Sequence, residues 1–332
     1  MRWSEPAALA LVGCLAFAVS AAATAWARRY ATRRGLMDQP GERRSHAIPT
    51  PRGGGIGIAI AGLGCLAALG AGVAGAWWWA TSGLLLVAAA GWWDDHRPTS
   101  PALRLALHAL AGGALAIAMR GHGAEPWEAV FGFALVVVLV NVWNFMDGID
   151  GLAASQGALC AAALLLLATG PVALLAVTVA AACLGFLPFN LPRARIFLGD
   201  VGSGAIGYLL AVLLAFVAME RPVGQWWLLL LAVSAFLVDA ALTLGGRLLR
   251  AERWWTPHVQ HLYQRASRRF GHGAVALAYA GWTIAVTGVM LVALASRSDG
   301  AWIVGAGAWG LALAVWSGLH RRWSGRTEGL DR

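Results

Sequence analysis

Residues 129–151 read AVFGFALVVVLVNVWNFMDGIDG. An uninterrupted apolar run ends at Val140; two side-chain amides, Asn141 and Asn144, and two carboxylates, Asp147 and Asp150, follow before a second apolar run opens at Leu152. A helix crossing the hydrocarbon core of a bilayer needs roughly 20 mostly apolar residues, so the polar row stands where a membrane helix ends. Polar groups at that depth are costly unless they are satisfied or at work, which makes the row a functional question.

Working outward, the whole chain has this character. Of its 332 residues, 59% are hydrophobic and 12% charged, and its mean hydropathy is +0.66, far from the composition of a water-soluble protein. An all-α, polytopic integral membrane protein is expected, with one transmembrane domain over residues 1–332 and no nucleic-acid partner. All 25 basic residues are arginine, and their surplus over 16 acids gives a formal charge of +9; this bias reads as codon usage before chemistry. Cys14, Cys65, Cys160 and Cys183 each sit inside apolar runs and fit neither a disulfide framework nor a zinc spacing. The first apolar stretch ends in Ala25-Trp26-Ala27, which resembles a cleavage site. It runs on too long for a signal and meets Arg28 and Arg29 at once, so a retained span is expected.

Eleven candidate spans can be drawn: Pro6 to Ala27, Gly54 to Gly75, Trp77 to Trp93, Leu103 to Met119, Trp127 to Phe145, Leu152 to Thr169, Val172 to Asn190, Val201 to Met219, Trp226 to Gly245, Ala274 to Ala295 and Ala301 to Leu319. With the N-terminus outside and the C-terminus cytoplasmic, 21 arginines fall on the cytoplasmic side and only Arg2, Arg120, Arg221 and Arg297 on the other, as the positive-inside rule requires. Trp77, Trp78 and Trp79 at one end of the third span, and Trp92 and Trp93 at the other, fit interfacial belts. The motif-bearing loops, near residues 28–53, 94–103, 144–151, 190–203 and 246–273, then all face the cytoplasm. No internal repeat is evident, which weakens a transporter reading.

In this topology the acids collect on one side. Asn141, Asn144, Asp147 and Asp150 recur every third residue, so neighbours share a helix face. A row of oxygens at a helix end suits a hard cation such as Mg²⁺, which takes one or two carboxylates, waters and substrate phosphate; helix capping is the plainer alternative. Asp94 and Asp95 close the third span, and adjacent carboxylates repel one another unless a cation compensates, so they suit a metal site or a general base, or else a polar turn before Pro98. In NLPRARIFLGDVGSGAIG, Gly202, Gly204 and Gly207 spell GxGxxG without a preceding strand, which discards a dinucleotide fold. Those glycines could bring backbone N–H groups to a phosphate beside Asp200 or allow close helix packing. The loop TPHVQHLYQRASRRFGHG adds His258, His261, His272 and several arginines, either for phosphate handling or as ordinary basic surface beside anionic headgroups. Asp239 lies about two turns inside the ninth span. Carboxylates and amides for metal, with glycines and basic groups for phosphate, are the equipment of phosphoryl transfer, and a membrane setting makes one substrate a lipid.

The stretches DQPGERRSHAIPTPRGGGI, WDDHRP, NFMDGIDGLA, FNLPRARIFLGDVGSG and HVQHLYQR, in this order from about Asp38 to His272, resemble the signatures of the polyprenyl-phosphate N-acetylhexosamine-1-phosphate transferases, glycosyltransferase family 4. That superfamily includes phospho-N-acetylmuramoyl-pentapeptide transferase and the enzymes initiating O-antigen, enterobacterial common antigen and teichoic acid. The resemblance implies transfer of a sugar 1-phosphate from a UDP-sugar to undecaprenyl phosphate, releasing UMP, with Mg²⁺ or Mn²⁺ as cofactor, in a bacterial inner membrane with the site facing the cytoplasm. A homodimer is compatible with it. By motif, Asp200 resembles the principal magnesium ligand, with Asn144 and Asp147 beside it. Asp94 and Asp95 match the catalytic aspartate pair, with Asp147 counted among the catalytic acids. Asp150 and Asn190 fall where the family holds uracil, Phe197 where a ring stacks on it, and His258 and His261 match the histidine motif near the sugar pyrophosphate. HVQHLYQ is closer to the lipopolysaccharide-initiating branch than to the peptidoglycan enzyme, which favours UDP-GlcNAc or a 6-deoxy relative as donor, at the first step of a lipid-linked surface glycan. An ion-coupled transporter and an aspartate-rich intramembrane prenyltransferase are the rival readings.

Overall fold

The computed structural model describes residues 6–39, 48–72, 75–252, 260–296 and 301–324. Apolar runs became helices: α1 (Pro6–Arg34), α2 (Ile56–Gly72), α3 (Trp77–His96), α4 (Pro101–Gly121), α5 (Pro126–Met146), α6 (Leu152–Leu165), α7 (Gly170–Asn190) and α8 (Gly199–Met219). They are followed by α9 (Trp226–Leu229), α10 (Ser234–Leu249), α11 (Leu262–Phe270), α12 (His272–Ala295) and α13 (Ala301–Ser324). Each expected span falls on helix. Among the described residues eight helical segments are long and apolar enough to cross a membrane, while α2 and α6 are shorter apolar helices of 17 and 14 residues. The protein is an all-α, multi-pass membrane protein.

Local chemistry sets the ends. Ser100 caps α4 by accepting the Leu103 N–H at 3.2 Å, with Pro101 at the first helical position, where its missing donor costs nothing. Glu125 and Glu128 form a capping box ahead of α5, again with a proline, Pro126, at its start.

The structure adds to two expectations. The ninth span lies within one apolar helical segment, Val223–Leu249, in which 3₁₀ turns at Val223–Gln225 and Leu230–Val233 flank α9 before α10 begins. A neighbouring side chain meets the backbone at the second of these turns, the Cys160 thiol lying 3.0 Å from the Ala232 carbonyl. A correction concerns the histidine loop, which contains α11. Leu262, Tyr263 and Ala266 are buried on one side while Arg268 and Arg269 are exposed, the pattern of an amphipathic surface helix.

Helix α8 is the axis of the bundle. Every residue from Val201 to Ala218 is buried, with α5, α3, α2 and α6 packed around it. The glycines that spelled GxGxxG explain this closeness. A Cβ on Gly202 would come within 2.6 Å of the Gly55 Cα, and one on Gly207 within 2.5 Å of the Leu139 carbonyl oxygen. Of the two readings of these glycines, tight helix packing is therefore visible in the fold. Buried hydroxyls inside the bundle are satisfied: Ser20 Oγ donates to the Ala182 carbonyl at 2.7 Å and Thr24 Oγ1 to that of Gly54 at 3.0 Å, as a low-dielectric interior demands.

Candidate active site

The site forms where the N-terminus of α8 meets the end of α3 and the loop before α2. Phe197 N–H donates to the Pro51 carbonyl at 2.8 Å, and the Gly54 and Gly55 N–H groups donate to the Phe197 and Leu198 carbonyls at 2.9 and 2.8 Å. A short antiparallel pairing of Met37–Asp38 with Thr50–Pro51 steadies the same loop. These bonds lay residues 51–55 against 197–198 and deliver Arg52 to the aspartates. Gly199 turns the chain into α8 with φ +75°, and a Cβ there would stand 2.6 Å from an Asp95 oxygen.

Asp95 is buried and fully engaged. Its Oδ1 accepts the Asp200 N–H at 3.0 Å and its Oδ2 the Val201 N–H at 3.2 Å, while Arg52 Nε and Nη2 donate to Oδ1 at 3.0 and 2.7 Å. It therefore satisfies the otherwise unpaired first donors of α8, a position where a negative charge is favoured by the helix dipole. Asp94, its neighbour, points elsewhere. Its Oδ1 accepts from the Thr99 N–H at 2.8 Å and from the Thr99 hydroxyl, and its Oδ2 lies 3.4 Å from Arg104 Nη1.

The same Arg104 Nη1 is 3.1 Å from Asp200 Oδ2, and Arg52 Nη2 is 3.7 Å from Asp200 Oδ1. The three aspartates and two arginines thus alternate in one chain of charge. Asn144 Nδ2 reaches Ser203 Oγ, one turn along α8 from Asp200, at 3.4 Å. Asp147 follows the last turn of α5. Burial first, and then the nearby charges of Asp200 and Asp95, push its pKa up to about 8.

The residues matched to nucleotide binding lie together at one side. Asp150 Oδ2 accepts the Ala194 N–H at 3.1 Å, and His272 Nδ1 is 3.4 Å from the same oxygen. Both ends of the Asn190 amide are used within the protein: Oδ1 accepts the Gly151 N–H at 2.6 Å and Nδ2 donates to the Ile196 carbonyl at 3.0 Å. Asn190 thereby ties the loop after α5 to the segment carrying Phe197, which is half-buried. His261 sits at the start of α11, buried, 3.5 Å from Asp239. His258 lies outside the described residues.

A trench of about 550 Å³ leads away from Asp200, Asn144, Arg104 and His261 along α5 and α10. Apart from these head groups and a few polar side chains such as His108 and Asn141, it is lined by apolar residues, among them Leu105, Val137, Val138, Leu237 and Leu244. Leu105, Val138 and Phe145 are exposed at the protein surface as well as lining it, so the trench borders the lipid-facing side.

Among the described residues no three histidine, cysteine, aspartate or glutamate side chains form a metal cage. The donor set still fits Mg²⁺, which relies on one or two carboxylates with waters and substrate phosphate, and the carboxylate charges around Asp147 are what a divalent ion would relieve. Sequence reasoning counted Arg52 and Arg104 only as topological charges and missed Thr99 altogether. The signal for Arg104 was its place one turn into α4, the helix that follows the aspartate pair.

The membrane-embedded bundle thus sets an arginine-bridged acidic head beside an apolar, lipid-bordered trench. The sequence matches the glycosyl transferase family 4 profile over residues 77–218. It is 34% identical to the decaprenyl-phosphate N-acetylglucosaminephosphotransferase of Mycolicibacterium smegmatis across 82% of this chain and 79% of that protein. It is 31% identical to the enzyme of the same name from Mycobacterium tuberculosis across 77% and 75%, and 30% identical to the undecaprenyl-phosphate alpha-N-acetylglucosaminyl 1-phosphate transferase of Yersinia pestis across 80% and 79%. The chain belongs to glycosyl transferase family 4. This kinship sets aside the ion-coupled transporter and the aspartate-rich prenyltransferase.

Proposed function

We propose that the protein transfers an N-acetylhexosamine 1-phosphate, or that of a 6-deoxy relative, from a UDP-sugar to undecaprenyl phosphate, releasing UMP, at the cytoplasmic face of a bacterial inner membrane. The observation that carries this reading is the trench whose head holds Arg104, Asn144 and Asp200, with Asp94 beside Arg104, and whose body is apolar and borders the lipid. An acceptor with a charged phosphate on a long isoprenoid tail has that same division.

In the transfer, an acceptor phosphate oxygen bonds to the β-phosphorus of the UDP-sugar as the anhydride bond to the α-phosphate breaks. One anhydride replaces another, so little net free energy is needed. Bound Mg²⁺ would be held by Asp200 with Asn144 and Asp147, and would supply charge neutralisation on the diphosphate oxygens. Arg104 stands at the junction of trench and acids, where it can turn from carboxylate to acceptor phosphate. Asp94, its Oδ1 held by Thr99, keeps Oδ2 directed at this junction, where it can accept a proton from the acceptor. Asp95 and Arg52 set the first turn of α8 and with it the direction of Asp200. Asp150, Asn190 and Phe197 form the uridine side, with Asn190 acting through the loops it joins. His261 and His258 serve the sugar pyrophosphate.

Membranes containing the protein, incubated with undecaprenyl phosphate and a panel of UDP-sugars, should release UMP with at least one donor and only when the lipid is present. Lipid-independent release, or none with any donor, would refute the reading.

A further inference from the structure

Asp239 stands outside the carboxylate chain and has no part in the transfer just described. It is nevertheless completely buried and surrounded by donors. Its Oδ1 accepts the Leu262 N–H at 2.9 Å, Trp316 Nε1 at 3.1 Å and the Thr243 hydroxyl at 3.2 Å. Its Oδ2 accepts the Tyr263 N–H at 3.1 Å and the Tyr279 hydroxyl at 2.8 Å. A buried carboxylate survives only with such charge-assisted partners.

Two of these donors have a particular place. Leu262 and Tyr263 are the first two residues of α11, whose N–H groups have no partner within the helix. Nine residues are too few for an isolated helix to persist in water, so α11 depends on what grips it. Asp239 holds its start. Its inner face is held by Tyr263, whose hydroxyl donates to the Phe145 carbonyl at 3.0 Å, two residues before Asp147. On either side of these two fixings, His261 and Gln264 line the same trench as Asn144 and Asp200.

We propose that Asp239 is a positioning residue for transfer, fixing the start of α11 so that His261 and Gln264 face the head of the trench. The proposal rests on the reading of the trench as the transfer site. It differs from a purely structural role, in which the carboxylate would serve α12 and α13, through Tyr279 and Trp316, as much as α11.

The test pairs kinetics with backbone hydrogen exchange on the full-length protein in lipid nanodiscs. In Asp239→Asn, kcat/KM for UMP release from UDP-GlcNAc with undecaprenyl phosphate should fall about 10²-fold, the loss that a displacement of about 1 Å can cause. Exchange should accelerate in residues 260–270 and stay unchanged in 275–295 and 302–323. Equal acceleration in all three segments, no change in 260–270, or wild-type kcat/KM would each overturn the proposal. Asp239→Glu keeps the charge on a longer side chain, which moves the carboxylate off the Leu262 and Tyr263 N–H groups, and serves where Asp239→Asn does not assemble. It should show the same local acceleration with a smaller kinetic loss, and wild-type behaviour in both measurements would also overturn the proposal. If the wild-type protein releases UMP from no donor, the functional reading fails, while the exchange data still decide whether Asp239 holds α11.

Discussion

Arg104 Nη1 lies 3.1 Å from Asp200 Oδ2 and 3.4 Å from Asp94 Oδ2, so one guanidinium nitrogen bridges acids 106 positions apart in the chain. It does so from the first turns of α4, at the point where the apolar trench begins.

Replacing this residue separates charge from geometry. Arg104→Ala should weaken use of the lipid acceptor by about 10- to 100-fold in kcat/KM, the worth of one hydrogen bond to a charged group, about 1.5–3 kcal/mol. Arg104→Lys should recover only part of it, because an ammonium lacks the planar fork. Steady-state kinetics with the acceptor varied in mixed micelles would read this, and an unchanged acceptor KM and kcat would count against Arg104 at the phosphate.

Asp94 and Asp95 are adjacent in sequence and divergent in space. Asp95→Ala removes the cap of α8 and the closer of Arg52's two acidic partners, so the thermal midpoint in detergent should drop along with activity, a lost cap alone costing about 0.5–2 kcal/mol. Asp94→Ala should abolish transfer while leaving the midpoint close to wild type. Equal midpoints for the two variants would contradict the division of labour.

Phe197→Ala should weaken UDP-sugar binding by about 1–3 kcal/mol, by analogy with bases stacked on aromatic side chains. The backbone bonds of residue 197 to Pro51 and Gly54 do not involve the ring, so the loop pairing survives the change. Calorimetric titration giving wild-type affinity would remove the ring from the uridine site.

Metal dependence should couple to pH through Asp147. Burial and the charges of Asp200, Asp95 and Asp150 raise its pKa, Arg52 lowers it, and the outcome is about 8. Below that value the metal-free carboxyl holds a proton that a cation must displace. The Mg²⁺ concentration for half-maximal activity should therefore fall between pH 6 and pH 8, by about 50-fold if one proton is displaced, and level off above. A pH-independent Mg²⁺ requirement would sink the assignment. EDTA should silence the wild type reversibly, and Asp200→Asn should stay silent at any Mg²⁺ concentration while remaining inserted.

The spans were legible because a bilayer imposes a length and an apolar composition that any window of sequence displays. The acids were legible because charge at membrane depth is rare. What escaped depends on contacts between distant segments. The 3₁₀ turn before Ser234 contains neither proline nor glycine and shows itself only where Cys160 meets the Ala232 carbonyl. α11 is short and crowded with arginine, so its buried face of Leu262, Tyr263 and Ala266 is plain only once α10 and α5 are beside it. Within the candidate site, residue types named carboxylates that the fold brings together at the start of α8. They did not distinguish Asp94 from Asp95, because which one meets the α8 amides depends on how α3 is rotated against α8. Asn190 likewise looks like a ligand group in the sequence, and the fold spends its amide on joining two loops.

The lipid-bordered trench has a consequence for how the reaction is driven. On the proposed function, an acceptor that slides in sideways never leaves its leaflet, and neither does its elongated product, while the nucleotide partner arrives from water. Turnover is then governed by the mole fraction of the isoprenoid carrier among surrounding lipids rather than by its bulk molarity. Enlarging the membrane with inert phospholipid would slow the enzyme even with every solute held constant.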